Sequence, residues 1–353
     1  MASPFAPDSL RIAFLGTAPF AVPTLLALTG GEGLAPAATQ VVAVFTPPDR
    51  PAGRGRLPRP SAVKLAALES GLPVHQPERV SRGEGLGLLR ELRPDLVVVA
   101  AFGEILSPEA IAVPRLGAIN LHASLLPRYR GAAPVQRAIM AGERVTGVTV
   151  QWMAPEMDAG DLILQRRLEI GEEEDFGSLH DHLASLGAEA AVEAVHLIGT
   201  GAAPHLPQDH QLATYAPPIS SEDLTIIWSR PADDIARLVR AFSPQPGART
   251  TRGGDLLKVL SARVLKKVPS EGGVPAAGSE ALSGRESVAG SLCGNGAPGQ
   301  VIALTSDGFL VATGGLPNGG LLVLRLQPAG RKAMSATDYV KGYRLRPGDR
   351  LGA

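Results

Sequence analysis

Unbroken apolar runs, separated by stretches of helical spacing, dominate the first two hundred residues. Arg11-Ile-Ala-Phe-Leu15 is one such run, ending at Gly16 and Thr17, and residues 41–45, 96–100 and 118–121 form three more. Runs rich in β-branched residues, with no polar alternation, predict strands buried on both faces and hence a mostly parallel sheet covered by helices. Helical spacing over 20–28 and 61–70 supplies the first of those covers. From Thr146 the pattern changes. Residues 147–153 alternate, and 162–168 can pair with them as a hairpin at the sheet edge. Leu179, Leu183, Leu186, Ala190 and Val195 then recur at helical intervals.

Beyond residue 200 the periodicity breaks. Residues 201–218 are Pro-rich and aperiodic, which predicts a connection between domains. A short helix is expected at 232–241, followed by brief strands at 256–260, 300–303, 308–312 and 320–326, divided by Gly and Pro turns. That spacing predicts a small β-barrel. Residues 268–299, low in complexity and rich in Gly, Ala, Ser and Glu, read as a flexible surface insertion. The expected fold is α/β: a Rossmann-like, mostly parallel sheet with helices on both faces over 1–203, a linker at 204–221, and an OB-like domain over 222–353.

A chain of 353 residues suits two such domains and can bury a core without staples. The single cysteine, Cys293, excludes a disulfide framework and a Cys-based zinc site and fits a reducing cytoplasm. No basic-then-apolar leader and no run of about 18 apolar residues occurs, so neither a secretory signal nor a membrane span is expected. Formal net charge is zero, yet from Glu222 onward 17 Lys and Arg face 11 Asp and Glu. The basic C-terminal part, at +6 against −6 for the remainder, reads either as solvated surface charge or as a site for an anionic partner.

The first strand leads into Gly16-Thr-Ala-Pro-Phe20, where Pro19 occupies a place at which a phosphate loop needs a free N–H. With no G-x-G-x-x-G and no P-loop lysine, a dinucleotide cofactor is not expected. The dense polar group lies instead at Asn120-Leu-His122. Residues two apart at a strand end point the same way, and an amide beside an imidazole can stabilise an oxyanion and manage a proton. A satisfied buried polar pair is the bland alternative. Met157-Asp158-Ala-Gly160-Asp161, between the two edge strands, is either an Asx-type turn or a carboxylate aimed at that pair.

Asn120-x-His122, Ser124-Leu-Leu-Pro127, and Gly147-Val-Thr149 followed by Met157-Asp158-x-Gly160-Asp161 together resemble the folate-dependent formyltransferases. Four further stretches resemble the branch of that family acting on methionyl-tRNA. They are Asp49-Arg-Pro-Ala-Gly-Arg-Gly55, Arg130-Gly-Ala-Ala-Pro-Val-Gln-Arg137, Arg240-Ala-Phe-x-Pro-x-Pro-Gly247, and Leu326-Gln-Pro-Ala-Gly-Arg-Lys-x-Met334 with Gly348-Asp-Arg-Leu351. The chain departs from the pattern at Tyr129 and Gln245, where tryptophan is usual, and at Pro218, where lysine is usual.

The resemblance implies a cytoplasmic, monomeric enzyme that moves the formyl group of 10-formyltetrahydrofolate to the methionine amine of initiator methionyl-tRNA, with no metal. Asn120, His122 and Asp158 are implied as catalytic. Phe102, Gly103, Ile105 and Leu106, with Ser124, Leu125, Leu126 and Pro127, are implied to hold the folate. Arg50, Arg54 and Arg56, in the Arg-rich loop 47–59, and Lys332 are implied to contact tRNA, where a guanidinium can pair with phosphate or stack on a base. Related enzymes acting on a glycinamide ribonucleotide or an amino-sugar nucleotide, formyl-folate hydrolases, and a non-catalytic RNA-binding protein are the competing readings. The second domain, the missing dinucleotide motif and the intact Asn, His and Asp weigh against them.

Overall fold

The computed structural model describes residues 9–30, 39–52, 57–265, 296–314 and 320–352. Arg54, Arg56 and Cys293, and all but the last residues of the expected insertion at 268–299, lie outside the described residues. By internal packing the chain divides into two compact units. The first comprises Met1–Ala138, Arg144–Gly171 and Ser178–Pro218, and the second Ile139–Glu143, Glu172–Gly177 and Ile219–Ala353.

The first unit is built on a seven-stranded sheet. In chain order its strands are β1 (Leu10–Gly16), β2 (Thr39–Phe45), β5 (Val74–His75), β6 (Leu96–Ala100), β7 (Ala118–His122), β8 (Val145–Trp152) and β9 (Leu162–Glu169). They lie in the order β5-β2-β1-β6-β7-β8-β9, parallel through β7 and antiparallel at β8 and β9. The expected edge hairpin is therefore present. A separate pair, β3 (Arg50–Ala52) with β4 (Leu57–Arg59), is antiparallel.

Helices cover this sheet because its strands are apolar on both sides; every residue of β6 is buried. Helix α1 (Val22–Leu28) follows a 3₁₀ turn at Pro19–Ala21. Helix α2 (Ala62–Glu69) is capped by Ser61, whose Oγ accepts from Lys64 N. Helices α3 (Gly83–Leu92) and α4 (Pro108–Ile111) complete one core with Ala13, Leu15, Phe45, Val97 and Val99. Helix α5 (Pro134–Ala141) follows β7, and α6 (Phe176–Gly199) sets Gly187 against Leu121, on the opposite side of β7 from Ala118. The Pro-rich stretch is bonded to this unit: Leu206 N donates to Leu162 O at 3.1 Å, Ala216 N to Arg130 O at 2.7 Å and Trp152 Nε1 to Pro204 O at 3.0 Å.

The second unit is an antiparallel β-domain, the coarser form of the expected barrel. Strands β10 (Ala248–Arg252), β11 (Asp255–Leu265), β12 (Val301–Leu304), β13 (Phe309–Ala312) and β14 (Gly320–Pro328) run in the order β10-β11-β14-β13-β12, and β15 (Met334–Ser335) pairs with β14. Helix α7 (Ala232–Ala241) buries Ile235 and Val239, and α8 (Ala336–Tyr343) buries Ala336 and Tyr339, against Val259, Phe309, Val323 and Leu326.

Candidate functional site

Strand β7 carries Asn120 and His122 on one face, and the ladder with β8 sets Gln151 opposite Asn120 and Thr149 opposite His122. Directly opposed residues share a face, so four polar side chains gather where the sheet turns from parallel to antiparallel. Asp158 reaches them from the β8–β9 connection. Its Oδ1 accepts from Gln151 Nε2 at 3.1 Å and from Asn120 Nδ2 at 3.4 Å. Its Oδ2 accepts from the Gly131 N–H at 2.8 Å and lies 3.6 Å from His122 Nδ1.

The loop is bent to make this approach. Asp158 has φ +52°, a left-handed backbone that Asp tolerates better than most residues. Two residues on, Gly160 runs so close to β8 that a Cβ there would stand 1.9 Å from the Trp152 carbonyl oxygen. Only glycine permits that contact.

His122 is buried, and its Nε2 lies 2.9 Å from the Tyr129 carbonyl oxygen. A carbonyl only accepts, so Nε2 carries a proton and Nδ1 is the nitrogen that turns to Asp158. A second proton on Nδ1 converts that approach into an ion pair between imidazolium and carboxylate. Asn120 differs. Among the described residues its side chain meets only Asp158, and at 3.4 Å that contact is long, so the amide keeps donor capacity toward a ligand.

The turn 124–127 lies beside this group. Ser124 and Leu126 are buried, and Leu125 and Pro127 half-buried. Thr149 Oγ donates to Ser124 O at 2.6 Å and accepts from Leu126 N at 3.1 Å, while Gln165 Nε2 donates to Leu126 O at 2.8 Å. Those backbone groups are engaged within the protein, and so is the Ser124 hydroxyl, which donates to Arg128 O at 2.6 Å; the exposed surface of the turn comes from Leu125 and Pro127. The segment 101–106 leaves β6 next to β7, since Val99 pairs with Asn120. Phe102 and Leu106 are buried, whereas Gly103 and Ile105 are exposed.

Arg50 is exposed on β3, and its Nη2 stands 3.6 Å from Glu78 Oε2. Neighbouring Asp49 is bound by Lys64 Nζ at 2.7 Å and by Gln76 Nε2 at 2.9 Å, and these bonds, Lys64 first, hold its carboxyl below the usual range. In the second unit Lys332 is exposed. Among the described residues no group of three or more His, Cys, Asp or Glu is placed to hold a metal ion, and no helix is long and apolar enough to cross a membrane.

Two family models match this chain: formyl transferase over residues 10–195, and formyl transferase, C-terminal domain, over 218–344. The chain belongs to the formyl transferase family. Methionyl-tRNA formyltransferase of Moorella thermoacetica is 46% identical over 97% of this chain and 99% of that protein. Its namesake in Symbiobacterium thermophilum is 44% identical over 97% of this chain and 95% of that one. The N-formyltransferase of Helicobacter canadensis, solved with folinic acid and dTDP-3-aminofucose, shares the fold at TM-score 0.58 and 14% identity, covering 89% of this chain and 99% of that one. HypX of Aquifex aeolicus, solved with tetrahydrofolic acid, aligns at TM-score 0.57 and 17% identity over 95% of this chain and 48% of its own.

As a formyl transferase, the chain is a transferase whose polar cluster is wider than its sequence suggested. Gln151, Thr149 and the Gly131 N–H join it, and Gln208 Nε2 reaches Asp158 O at 2.9 Å. A Thr and a Gln two apart in the apolar context of β8 were the available signal for two of these.

Proposed function

We propose that the chain transfers the formyl group of 10-formyltetrahydrofolate to the methionine amino group of initiator methionyl-tRNA. The observation that carries this reading is the convergence of Asn120, His122 and Asp158 on one face of β7, with Asp158 Oδ1 3.4 Å from the amide and Oδ2 3.6 Å from the imidazole. Relatives at 46% and 44% identity bear the name of that activity.

The residues at 102–106 fit a folate. Ile105 is 69% exposed, beside the buried Phe102 and Leu106, and a Cβ on Gly103 would meet nothing within 4 Å. An open apolar surface at a strand end suits a flat heterocycle, with the side chains of 124–127 as its second wall. When bound, the donor supplies a formyl carbon that is already electrophilic.

Asn120 Nδ2 donates to the formyl oxygen as negative charge develops there, the interaction that contributes most when the donor is preorganised. His122, held between Tyr129 O and Asp158, adds positive potential beside it. Asp158 orients the ring and keeps its charged form paired. The amine nitrogen bonds to the formyl carbon, the bond from that carbon to the folate nitrogen breaks, and the amine's proton passes by way of the Asp158–His122 pair to the departing nitrogen. Arg50, Arg54, Arg56 and Lys332 are assigned to the tRNA, chiefly its phosphates. This reading makes the enzyme a cytoplasmic monomer.

The test compares acceptors. Purified protein with 10-formyltetrahydrofolate should formylate charged initiator tRNA far faster than glycinamide ribonucleotide or an amino-sugar nucleotide. Preference for either small amine overturns the assignment of tRNA.

A further inference from the structure

Behind Asp158 lies a polar chain that the transfer steps do not themselves use. Arg130 is 4% exposed and Gln208 5%. Arg130 Nη2 donates to Gln208 Oε1 at 2.6 Å. Gln208 Nε2 lies 2.7 Å from Gly160 O, 2.9 Å from Asp158 O and 3.2 Å from Gln151 Oε1. Gln151 Nε2 then donates to Asp158 Oδ1 at 3.1 Å.

Chemistry fixes the direction of this chain. The two ends of an amide are alike in shape, but a guanidinium only donates and a backbone carbonyl only accepts. Gln208 therefore turns its oxygen to Arg130 and its NH2 to the carbonyls of Asp158 and Gly160. That NH2 also lies 3.2 Å from the Gln151 amide, where a second NH2 would repel it, so Gln151 presents its oxygen there and its own NH2 to the carboxylate. Reversing either amide sets oxygen against oxygen at one contact and hydrogen against hydrogen at another.

The anchoring cation is itself unusual. Among the described residues its Nε has no hydrogen-bond partner, and Nη2 meets two side chains without negative charge, Gln208 and His210 Nδ1 at 3.1 Å. Burying a guanidinium without a carboxylate is costly. Here the cost is offset by a row of aligned amides that ends at an anion.

We propose that Arg130 and Gln208 are positioning residues for the transfer: they orient Gln151 and clamp the left-handed loop at Asp158, so that its carboxylate meets Asn120 and His122. The proposal rests on the assignment of Asp158 to the transfer site.

Gln208→Met removes the amide at nearly constant volume. It should lower kcat by about 10–10²-fold, the scale of a small misplacement of catalytic groups, while KM for folate and tRNA moves by less than about twofold. Arg130→Lys keeps a donor for Gln208 and should retain most of the activity that Arg130→Met loses. The deciding variant combines Gln208→Met with Asp158→Asn. If Gln208 acts through Asp158, the double variant is no slower than Asp158→Asn alone. A penalty that adds in full, or wild-type kcat in Gln208→Met, overturns the proposal. Wild-type kcat in Asp158→Asn instead removes the transfer site itself, so the two failures are distinct. Should Gln208→Met fail to fold in a thermal melt, Gln208→Glu keeps the oxygen, replaces the donor and carries the same expectation.

Discussion

Two walls beside the same strand end are built in opposite ways. On the β7–β8 wall polar groups answer one another: Asp158 accepts from an amide, a second amide and a backbone N–H, and His122 is held at both ring nitrogens. The 102–106 wall is anchored from behind. Thr17 Oγ donates to Phe102 O at 2.8 Å, and the Glu104 carboxylate accepts from the N–H groups of Val80 and Ser81 at 3.0 and 3.1 Å. Its outer surface, Gly103 and Ile105, is left bare. The loop is thus fixed in place while Ile105 remains open to contact from outside. The contrast separates two jobs. On the proposed function, the polar wall carries the chemistry and the bare wall binds the formyl donor.

Substitutions should divide along that line, and the largest effect belongs to the polar wall. Asn120→Ala should lower kcat by about 10²–10³-fold, the usual cost of removing one preorganised donor to an oxyanion, with KM for folate little changed. His122→Ala should cost at least about 10²-fold. Steady-state kinetics on folded variants decide it. Near wild-type kcat in either would erase the distinction between the walls.

The bare wall should answer in KM. Ile105→Asp places a charge where the flat heterocycle is to lie, and should raise KM for the formyl donor by about tenfold while kcat stays within about twofold. Its melting temperature should be unchanged, because the side chain is 69% exposed. A fall in kcat with KM held would move the folate elsewhere.

How much of this was legible in the chain differs between the same two regions and their supports. Continuous apolar runs gave β1, β6 and β7, and with them the pair Asn120 and His122. Asp158 could be named but not placed, since nothing in the spacing of residues 120 and 158 brings their side chains together. Gln151 went unnamed and Thr149 appeared only as a motif residue, because the alternation of β8 reads as one solvated face, although the strand is buried on both. Helix α3 went unseen because Gly83, Gly85 and Gly87 depress helix propensity. Gly85 is there for a close approach, since a Cβ would stand 2.1 Å from Arg79 O. Gln208 had no signature at all. It lies in a Pro-rich stretch whose backbone is bonded to Leu162 and Arg130, and such pairing follows another segment's shape rather than any period of its own.

The smallest expected effect belongs to Arg50, outside both walls. Its contact with Glu78, 3.6 Å long with both side chains about three-quarters exposed at 74% and 78%, contributes next to nothing to folding. Its register matters more. Arg50 stands directly opposite Arg59 in the β3–β4 ladder, and like charges so placed repel. An anion shared between two guanidinium groups relieves that repulsion, which a tRNA phosphate can do. Arg50→Ala should therefore weaken tRNA binding by about two- to fivefold at low salt, and flatten the dependence of log affinity on log salt by about one ion. Glu78→Gln, which frees Arg50 of its competitor, should shift affinity slightly the other way. Neither change should alter KM for the formyl donor. Equal tRNA affinity in wild type and Arg50→Ala across the salt range would take this ladder out of the nucleic-acid interface.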